Sequence, residues 1–339
     1  MTSMLVRLRE VGNARVVPGL VWAIRGNADG SSEEIALDKP EAFSADGWYR
    51  LHFGLADNRV HSFFNALSIS QATQMIREGE QTQQLQLRER IAFGAVADLQ
   101  RSLEGAQDHL GYLYFAADEK VLITARLNSL CSPGAVRQSL QRGFRVPAIP
   151  DLLECILLEI IEGFDRRIET TGKQIDRIED RIIAGIVKDA RAHIGANRRT
   201  IINIHRHVSG LRTLMSRLAK TNAQQTVFPT LPSAAENVLR NSEQLEHEII
   251  SLRERARLLQ EEVAAMLAEE TNKHLRVLSI LTILFIPPTF IGGLFGMNLK
   301  GILFAESEHG FLIACALAAA SSGIVAWLLK RSGIWEAND

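Results

Sequence analysis

Toward the C-terminus the chain sets neutral oxygens into an apolar background. Thr282 and Thr289 carry hydroxyls and Asn298 a carboxamide. Leu275, Leu278, Thr282, Ile286, Thr289 and Gly293 recur every three or four residues, which places all six on one helix face. Such oxygens accept hydrogen bonds from the water shell of a cation, while rings of apolar side chains between them can exclude water and act as a gate. Magnesium sheds its inner waters reluctantly, so acceptors of this kind suit an ion that keeps them. Further on, Glu306, Glu308 and His309 stand together. Acidic side chains there concentrate cations, and Glu with His offers transient zinc ligands.

The elements that hold these residues are themselves apolar. Val277 to Leu294 carries no ionisable side chain and approaches the ~20 residues that an α-helix needs to cross a bilayer core. Pro287 and Pro288 lie inside it, and membrane helices tolerate them. A second apolar run, Phe311 to Leu329, follows a short polar segment, so the pair reads as a transmembrane hairpin. Lys273 and Arg276 precede the first span and Lys330 and Arg331 follow the second, whereas the loop between them sets Lys300 against Glu306 and Glu308. The positive-inside tendency puts both ends in the cytoplasm and the loop outside. The opening residues, MTSMLVRLREVG, lack the apolar stretch of a cleaved export signal.

Upstream, the sequence changes character twice. Gly19 to Gly26, Gly47 to Leu55, Gly111 to Ala117 and Val121 to Asn128 have the Val, Ile, Tyr and Phe content of strands, with Asp118, Glu119 and Lys120 as a hairpin turn between the last two. Helical candidates such as Asp57 to Leu67 lie between them, which makes an α/β domain. Past Pro147 and Pro150 the pattern is helical: Asp151 to Val187, Arg191 to Lys220, and, after the turn-rich Thr226 to Pro232, one run from about Ala234 into the membrane. At 1.5 Å per residue that last helix is on the order of 90 Å long. Leu245, Ile249, Leu252, Ala256, Leu259, Val263 and Met266 form a heptad seam along it, fit for a coiled coil with other copies or for packing on the chain's own helices. The expected domains are a cytoplasmic α/β domain over 1–146, a helical stalk over 147–274 and a hairpin over 275–339. The hairpin divides into a lining helix 275–298, an outer loop 299–310 and a second helix 311–329.

Composition narrows the function. Lys and Arg number 38 against 39 Asp and Glu, a formal net charge of −1, so nothing argues for a nucleic-acid partner. Cys131, Cys155 and Cys315 are far apart and form no CxxC pair, which fits buried thiols in a reducing compartment. The chain shows no phosphate loop, no GxGxxG after a strand, no HExxH and no nucleophile with a base and an orienting group, so it reads as a non-enzyme with no cofactor. His205 and His207 are two apart on a helix and face different ways, so they do not form a ligand pair.

Gly296, Met297 and Asn298 close the first of two C-terminal spans behind a long soluble region. In that context the triplet resembles the CorA family of divalent-cation transporters. The wording of Thr289 to Ile302, TFIGGLFGMNLKGI, is most like the ZntB zinc-transporter branch. The resemblance implies a fold of class α+β/α: an α/β domain, a long stalk and two transmembrane helices, assembled as a homopentameric funnel in the bacterial inner (plasma) membrane. It also implies that Gly296, Met297 and Asn298 form the outer mouth, that the cargo is zinc, with magnesium, cobalt or nickel as alternatives, and that the partners are further copies of the chain and the lipid bilayer. Acids such as Asp165, Glu169 and Asp176 are then candidates for regulatory metal sites between subunits. Where the family often has Met-Pro-Glu-Leu in the loop, this chain has Leu303-Phe304-Ala305-Glu306, which favours the zinc branch. A reading of another class also follows: a membrane-tethered sensor or scaffold that keeps the architecture without conducting.

Overall fold

The computed structural model describes residues 4–11, 17–35, 47–67, 69, 82–88, 91–101, 109–187, 189–221, 228, 230–297 and 309–332. The chain divides into two compact units, Met1–Leu259 and Gln260–Asp339.

The first unit is built on a sheet. Strands β1 (Leu20–Gly26), β2 (Ser32–Glu34), β3 (Trp48–Gly54), β4 (Gln84–Arg88), β5 (Ile91–Leu99), β6 (Leu110–Ala117) and β7 (Val121–Arg126) hydrogen-bond in the order β2-β1-β3-β7-β6-β5-β4. Neighbours run antiparallel except β3 and β7, which are parallel. Alternation along β3 splits its side chains between two faces. Tyr49, Leu51 and Phe53 join Ala23, Ile123 and Ala125 under helices α1 (Met4–Val11) and α2 (Arg59–Ala66), where Leu8, Val60 and Phe64 complete a core. Trp48, Arg50 and His52 take the opposite face, where the Trp48 Nε1–H donates to the carbonyl of Val146 at 2.8 Å.

The hairpin expected around Asp118-Glu119-Lys120 is β6–β7, and Asp118 explains its tightness. One carboxylate oxygen accepts the N–H of Lys120 and of Val121, at 2.9 and 2.8 Å, and the other accepts the N–H of Met4 at 2.8 Å, which also ties down the start of α1. Gly47 enters β3 at φ 92°, and a Cβ there would collide with the carbonyl oxygen of Gly26.

Helix α3 (Cys131–Gln141) starts against Asp98 of β5, whose Oδ2 accepts the Ser132 N–H at 3.0 Å and the Ser132 hydroxyl at 2.7 Å. Two long helices follow, α4 (Ile149–Ile183) and α5 (Ala190–Ala219). The first ends in a Schellman turn: Ile186 N–H to Arg181 O at 2.8 Å, Gly185 N–H to Ile182 O at 2.9 Å, with Gly185 at φ 77°. Helix α6 (Leu231–Gly296) then runs 66 residues through Pro287 and Pro288. In the first unit Leu245, Ile249, Ala256 and Leu259 of its seam are buried, Leu252 lies over Gly172 of α4, 3.8 Å from where a Cβ would stand, and Asn237 donates to Glu154 at 2.9 Å. The seam is thus used within the chain. Each such buried Leu or Ile contributes roughly 1.5–3 kcal/mol. The half-exposed pairing of Arg255 with Asp176, at 2.6 Å, and with Glu179 is worth about 0–1 kcal/mol.

The second unit holds the rest of α6 and helix α7 (Gly310–Arg331). Both are long and apolar enough to span a bilayer, with 0% and 6% of their most apolar windows buried. Phe290 is 67% exposed and Phe311 80%. An apolar surface of this extent marks a face that meets lipid or other protein, and Arg331 stacks at 5.3 Å over Trp327 at the end of α7, a basic and aromatic pairing suited to a membrane–water interface.

Asp98 makes a testable feature of the first unit. Burial raises its carboxyl to about 6, outweighing the two Ser132 hydrogen bonds that favour the charged form, with Glu159 adding to the rise. The folded chain therefore holds this proton more tightly than the unfolded chain. That contribution is full below the ordinary carboxylate range near 4 and is lost as pH rises through about 6. The loss is on the order of 2–3 kcal/mol. Thermal unfolding of the full chain, followed by tryptophan fluorescence from pH 4 to 7, should show a falling midpoint that Asp98→Asn largely flattens.

Candidate functional site

Of the six residues on the expected lining face of α6, Thr282, Ile286, Thr289 and Gly293 line one concave strip together with Phe285, Phe290, Leu294 and Met297. Leu275 and Leu278 lie exposed further toward the N-terminal end, outside that strip. Gly296 is the last residue of α6, and Met297 follows it, half exposed. Asn298, Glu306 and Glu308 lie outside the described residues, while His309 immediately precedes α7 and its carbonyl accepts the Ile313 N–H at 3.0 Å.

The two hydroxyls are oriented. Thr282 donates to the Leu278 carbonyl at 2.8 Å and Thr289 to the Phe285 carbonyl at 2.7 Å. A hydroxyl has one proton to give, so each threonine faces outward with lone pairs only. Such a strip accepts hydrogen bonds from water but has no side-chain donor for an anion. Phe285, Ile286 and Phe290 keep its surroundings apolar. The glycines answer to nothing inside the described chain: a Cβ on Gly292, Gly293 or Gly296 would meet no atom within 4 Å.

The other candidates do not converge. Glu169 pairs with Lys173 at 2.6 Å and Asp176 with Arg255. Asp165 lines a recess between α4 and α6 with Glu162, Asn241, Gln244 and Glu248, where burial first, then Glu248, Glu169 and Glu162, raise its carboxyl. His205 faces Glu246 of α6 at 3.6 Å, whereas His207 meets the Tyr112 ring edge-on at 6.3 Å, so the two diverge as their spacing requires. Among the described residues no three His, Cys, Asp or Glu side chains gather as a metal site. Cys131, Cys155 and Cys315 are free.

Sequence reasoning missed a polar row on the second face of the sheet. His52 Nδ1 lies 2.9 Å from the Thr124 hydroxyl, and Arg126 Nε donates to His52 Nε2 at 2.9 Å. Arginine only donates, so the imidazole is neutral with its proton on Nδ1. Burial, then the charges of Arg50, Arg126 and Arg137, hold His52 well below its usual range. The available signal was the alternation Trp48, Arg50, His52, which puts two basic residues on one side of a strand.

Fold and strip together define an integral membrane protein with a large α/β and helical unit. A family model described as CorA-like Mg2+ transporter protein matches residues 46–331, and the chain belongs to that family. The divalent cation transporter CmaX of Pseudomonas aeruginosa is 26% identical over 219 residues, 63% of this chain and 65% of that one, so the match spans just under two thirds of that relative. The zinc transport protein ZntB of Yersinia pseudotuberculosis is 24% identical over 328 residues, 95% of this chain and 98% of that one. The cobalt/magnesium transport protein CorA of Methanocaldococcus jannaschii is 24% identical over 222 residues, 63% of this chain and 66% of that one. Among solved structures, full-length CmaX superposes with a TM-score of 0.75 at 20% identity, covering 94% of this chain and 99% of that one. The complete CorA of Methanocaldococcus jannaschii gives 0.74 at 19%, covering 92% and 98%. These likenesses establish the fold.

Because, among the described residues, the Thr289 hydroxyl bonds only its own helix, Thr289→Val should leave the far-ultraviolet circular dichroism unchanged and the stability of the full chain within about 0.5 kcal/mol of the parent. A larger loss would mean that the hydroxyl holds another element.

Proposed function

We propose that this chain carries divalent metal cations across a membrane through an axial path lined by the Thr282–Gly293 face of α6, in an assembly of identical copies. Two spanning helices cannot enclose a path alone, so one α6 from each copy must line it; five copies is the number the family resemblance implies. The observation that carries the reading is the acceptor-only hydroxyl pair on an exposed face of an apolar spanning helix. Rings of such oxygens, with Ile286 between them, favour a cation whose waters point their hydrogens outward. The unoccupied space around Gly292, Gly293 and Gly296 supports neighbours drawing close there.

Both termini lie in the cytoplasm on this reading, supported by Lys273, Arg276, Lys330 and Arg331 flanking the spans. Asn298 then rings the outer mouth with carboxamide oxygens, behind the acidic Glu306 and Glu308. The spans Val277 to Leu294 and Phe311 to Leu329 contain no Asp, Glu, Lys, Arg or His, so no titratable relay lies within them. Drive by the membrane potential suffices: a doubly charged ion gains about 4.6 kcal/mol per 100 mV, twice the single-charge value.

Zinc is the proposed cargo, with magnesium, cobalt and nickel as alternatives. Zinc prefers nitrogen and sulfur ligands, and the strip offers only the Met297 thioether, so zinc would pass with its waters on. Support for zinc comes from the loop wording and from the ZntB relative that spans nearly the whole chain.

The test is metal influx into proteoliposomes for zinc, magnesium, cobalt and nickel, with and without a pH gradient. The parent should carry at least one of them. Thr289→Val should slow the flux about tenfold, on the scale of one lost water-mediated hydrogen bond per ring, and Thr289→Ser should restore most of it. Asn298→Ala should reduce it further. Undiminished flux in Asn298→Ala would remove the assigned mouth. Metal binding without flux in the parent would leave a sensor or scaffold in place of a transporter.

A further inference from the structure

Arg50 sits where a cation should not. Its strand, β3, is interior to the sheet, and its register neighbours are Ile24 of β1 and Leu122 of β7. The side chain is fully buried, and Nε, Nη1 and Nη2 all lack a hydrogen-bond partner among the described residues. It cannot snorkel to water from the middle of a sheet. Interior guanidinium groups are ordinarily met by a carboxylate fork, because five donors stripped of water need acceptors.

Among the described residues no carboxylate fills that role. The titratable neighbour that bears on Arg50 is Cys155 of α4, and burial pushes that thiol up to about 11, so it is uncharged at neutral pH. Glu154 is engaged with Asn237, and Glu34 is taken at the surface by Arg137 and Gln141. What surrounds Arg50 adds positive charge or is neutral. The Trp22 ring lies under its guanidinium at 4.7 Å, and the same ring has Arg137 at 5.6 Å and His52 stacked at 4.7 Å. Arg126 in turn holds His52 neutral from the far side. Burial lowers Arg50 only to about 9, which leaves it a cation at neutral pH. A ring face compensates part of a buried charge but accepts none of the five hydrogen bonds in the guanidinium plane.

From the three unpartnered nitrogens of a fully buried Arg50, with Arg137 on the same Trp22 ring, Arg126 on His52 and no acid paired with it among the described residues, we infer that the α/β unit holds a small inorganic anion against Arg50, between β3 and α4. The site is separate from the proposed cation path. Its occupant is compact, because the position is closed to solvent and walled by Trp22, Ile24 and Leu122. A halide and a small oxyanion share the required chemistry, a dense negative charge that accepts several N–H donors. Water could accept those donors but could not balance the charge.

The full-length protein in detergent tests this directly. Thermal unfolding at fixed pH and ionic strength is measured as sodium gluconate is replaced by sodium chloride, sodium bromide or sodium sulfate. Bromide-containing crystals are examined for anomalous scattering. The midpoint should climb by several degrees in chloride and bromide, with a saturating dependence, and a bromide peak should lie within hydrogen-bond reach of Arg50. A rise with sulfate as well would assign an oxyanion-tolerant site, and a rise with halides alone a halide site. Arg50→Met, which removes the uncompensated charge, should lose the salt-specific rise. Equal midpoints in all four salts, no bromide peak near Arg50, or an undiminished rise in Arg50→Met would each overturn the inference. Should Arg50→Met not fold, the two measurements on the parent protein decide it.

Discussion

One helix has to satisfy two solvents. Along its first half α6 hides Leu245, Ile249, Ala256 and Leu259 at heptad spacing, and along its second it leaves Leu278, Phe285, Ile286 and Phe290 exposed. Each large apolar side chain left in water forgoes roughly 1.5–3 kcal/mol of transfer free energy, and the second half exposes many in sequence. Hydrocarbon removes that cost and imposes another: inside it, every polar group must find its partner within the protein. Thr282 and Thr289 comply by giving their protons to carbonyls one turn back. The acceptor-only strip therefore follows from the rule that lets the helix enter lipid at all.

The same arithmetic ranks what orders the first unit. Arg255 reaches Asp176 and Glu179, and Arg212 reaches Glu246 at 2.7 Å, yet these pairs are partly solvated and individually weak. The apolar stripe of α4, from Ile156 through Ile160, Phe164 and Ile168 to Ile175, is almost wholly buried and outweighs them. The ion pairs fix which residues face each other. The stripe supplies the free energy.

Most long elements were legible because their periods are strong. The stripes of α4 and α5, the apolar runs of α6 and α7, and the turn at Asp118 each carry a local physical cause, and each forms within a few residues of the expected limits. Strands β4 and β5 were not legible. Gln84–Arg88 is mostly polar, and Ile91–Leu99, IAFGAVADL, is rich in Ala and Gly, so neither has the composition of a strand. They form because β6 offers a ladder with eight paired residues along β5, a tertiary fact. In the candidate site, the face of α6 could be read from spacing, but which way each hydroxyl points depends on its rotamer. The setting of Arg50 was hidden for a related reason: its neighbours Trp22, Ile24 and Leu122 come from other strands, and nothing near it in sequence reports that no acid among the described residues pairs with it.

Pro287 and Pro288 divide the polarity of α6 between two sides. Neither can donate an N–H, so the carbonyls of Ile283 and Leu284 lose their donors four residues on. At about 100° per residue Ile283 lies on the flank, about 90° from the side that carries Thr282, Ile286 and Thr289, and Leu284 lies nearly opposite it. The helix thus presents hydroxyl oxygens on one side and under-bonded carbonyls on the flank and the far side, within the stretch read as membrane-embedded. The hydroxyl protons are already placed, but hydrocarbon offers no donor to the remaining hydroxyl lone pairs or to those carbonyls. Glycines with nothing within 4 Å lie just beyond. A lone rod in hydrocarbon would gain from replacing all of these residues with leucine. Their presence is economical if α6 has water on its threonine side and closely packed protein on the rest, which is the environment that a ring of copies around a wet axis would provide.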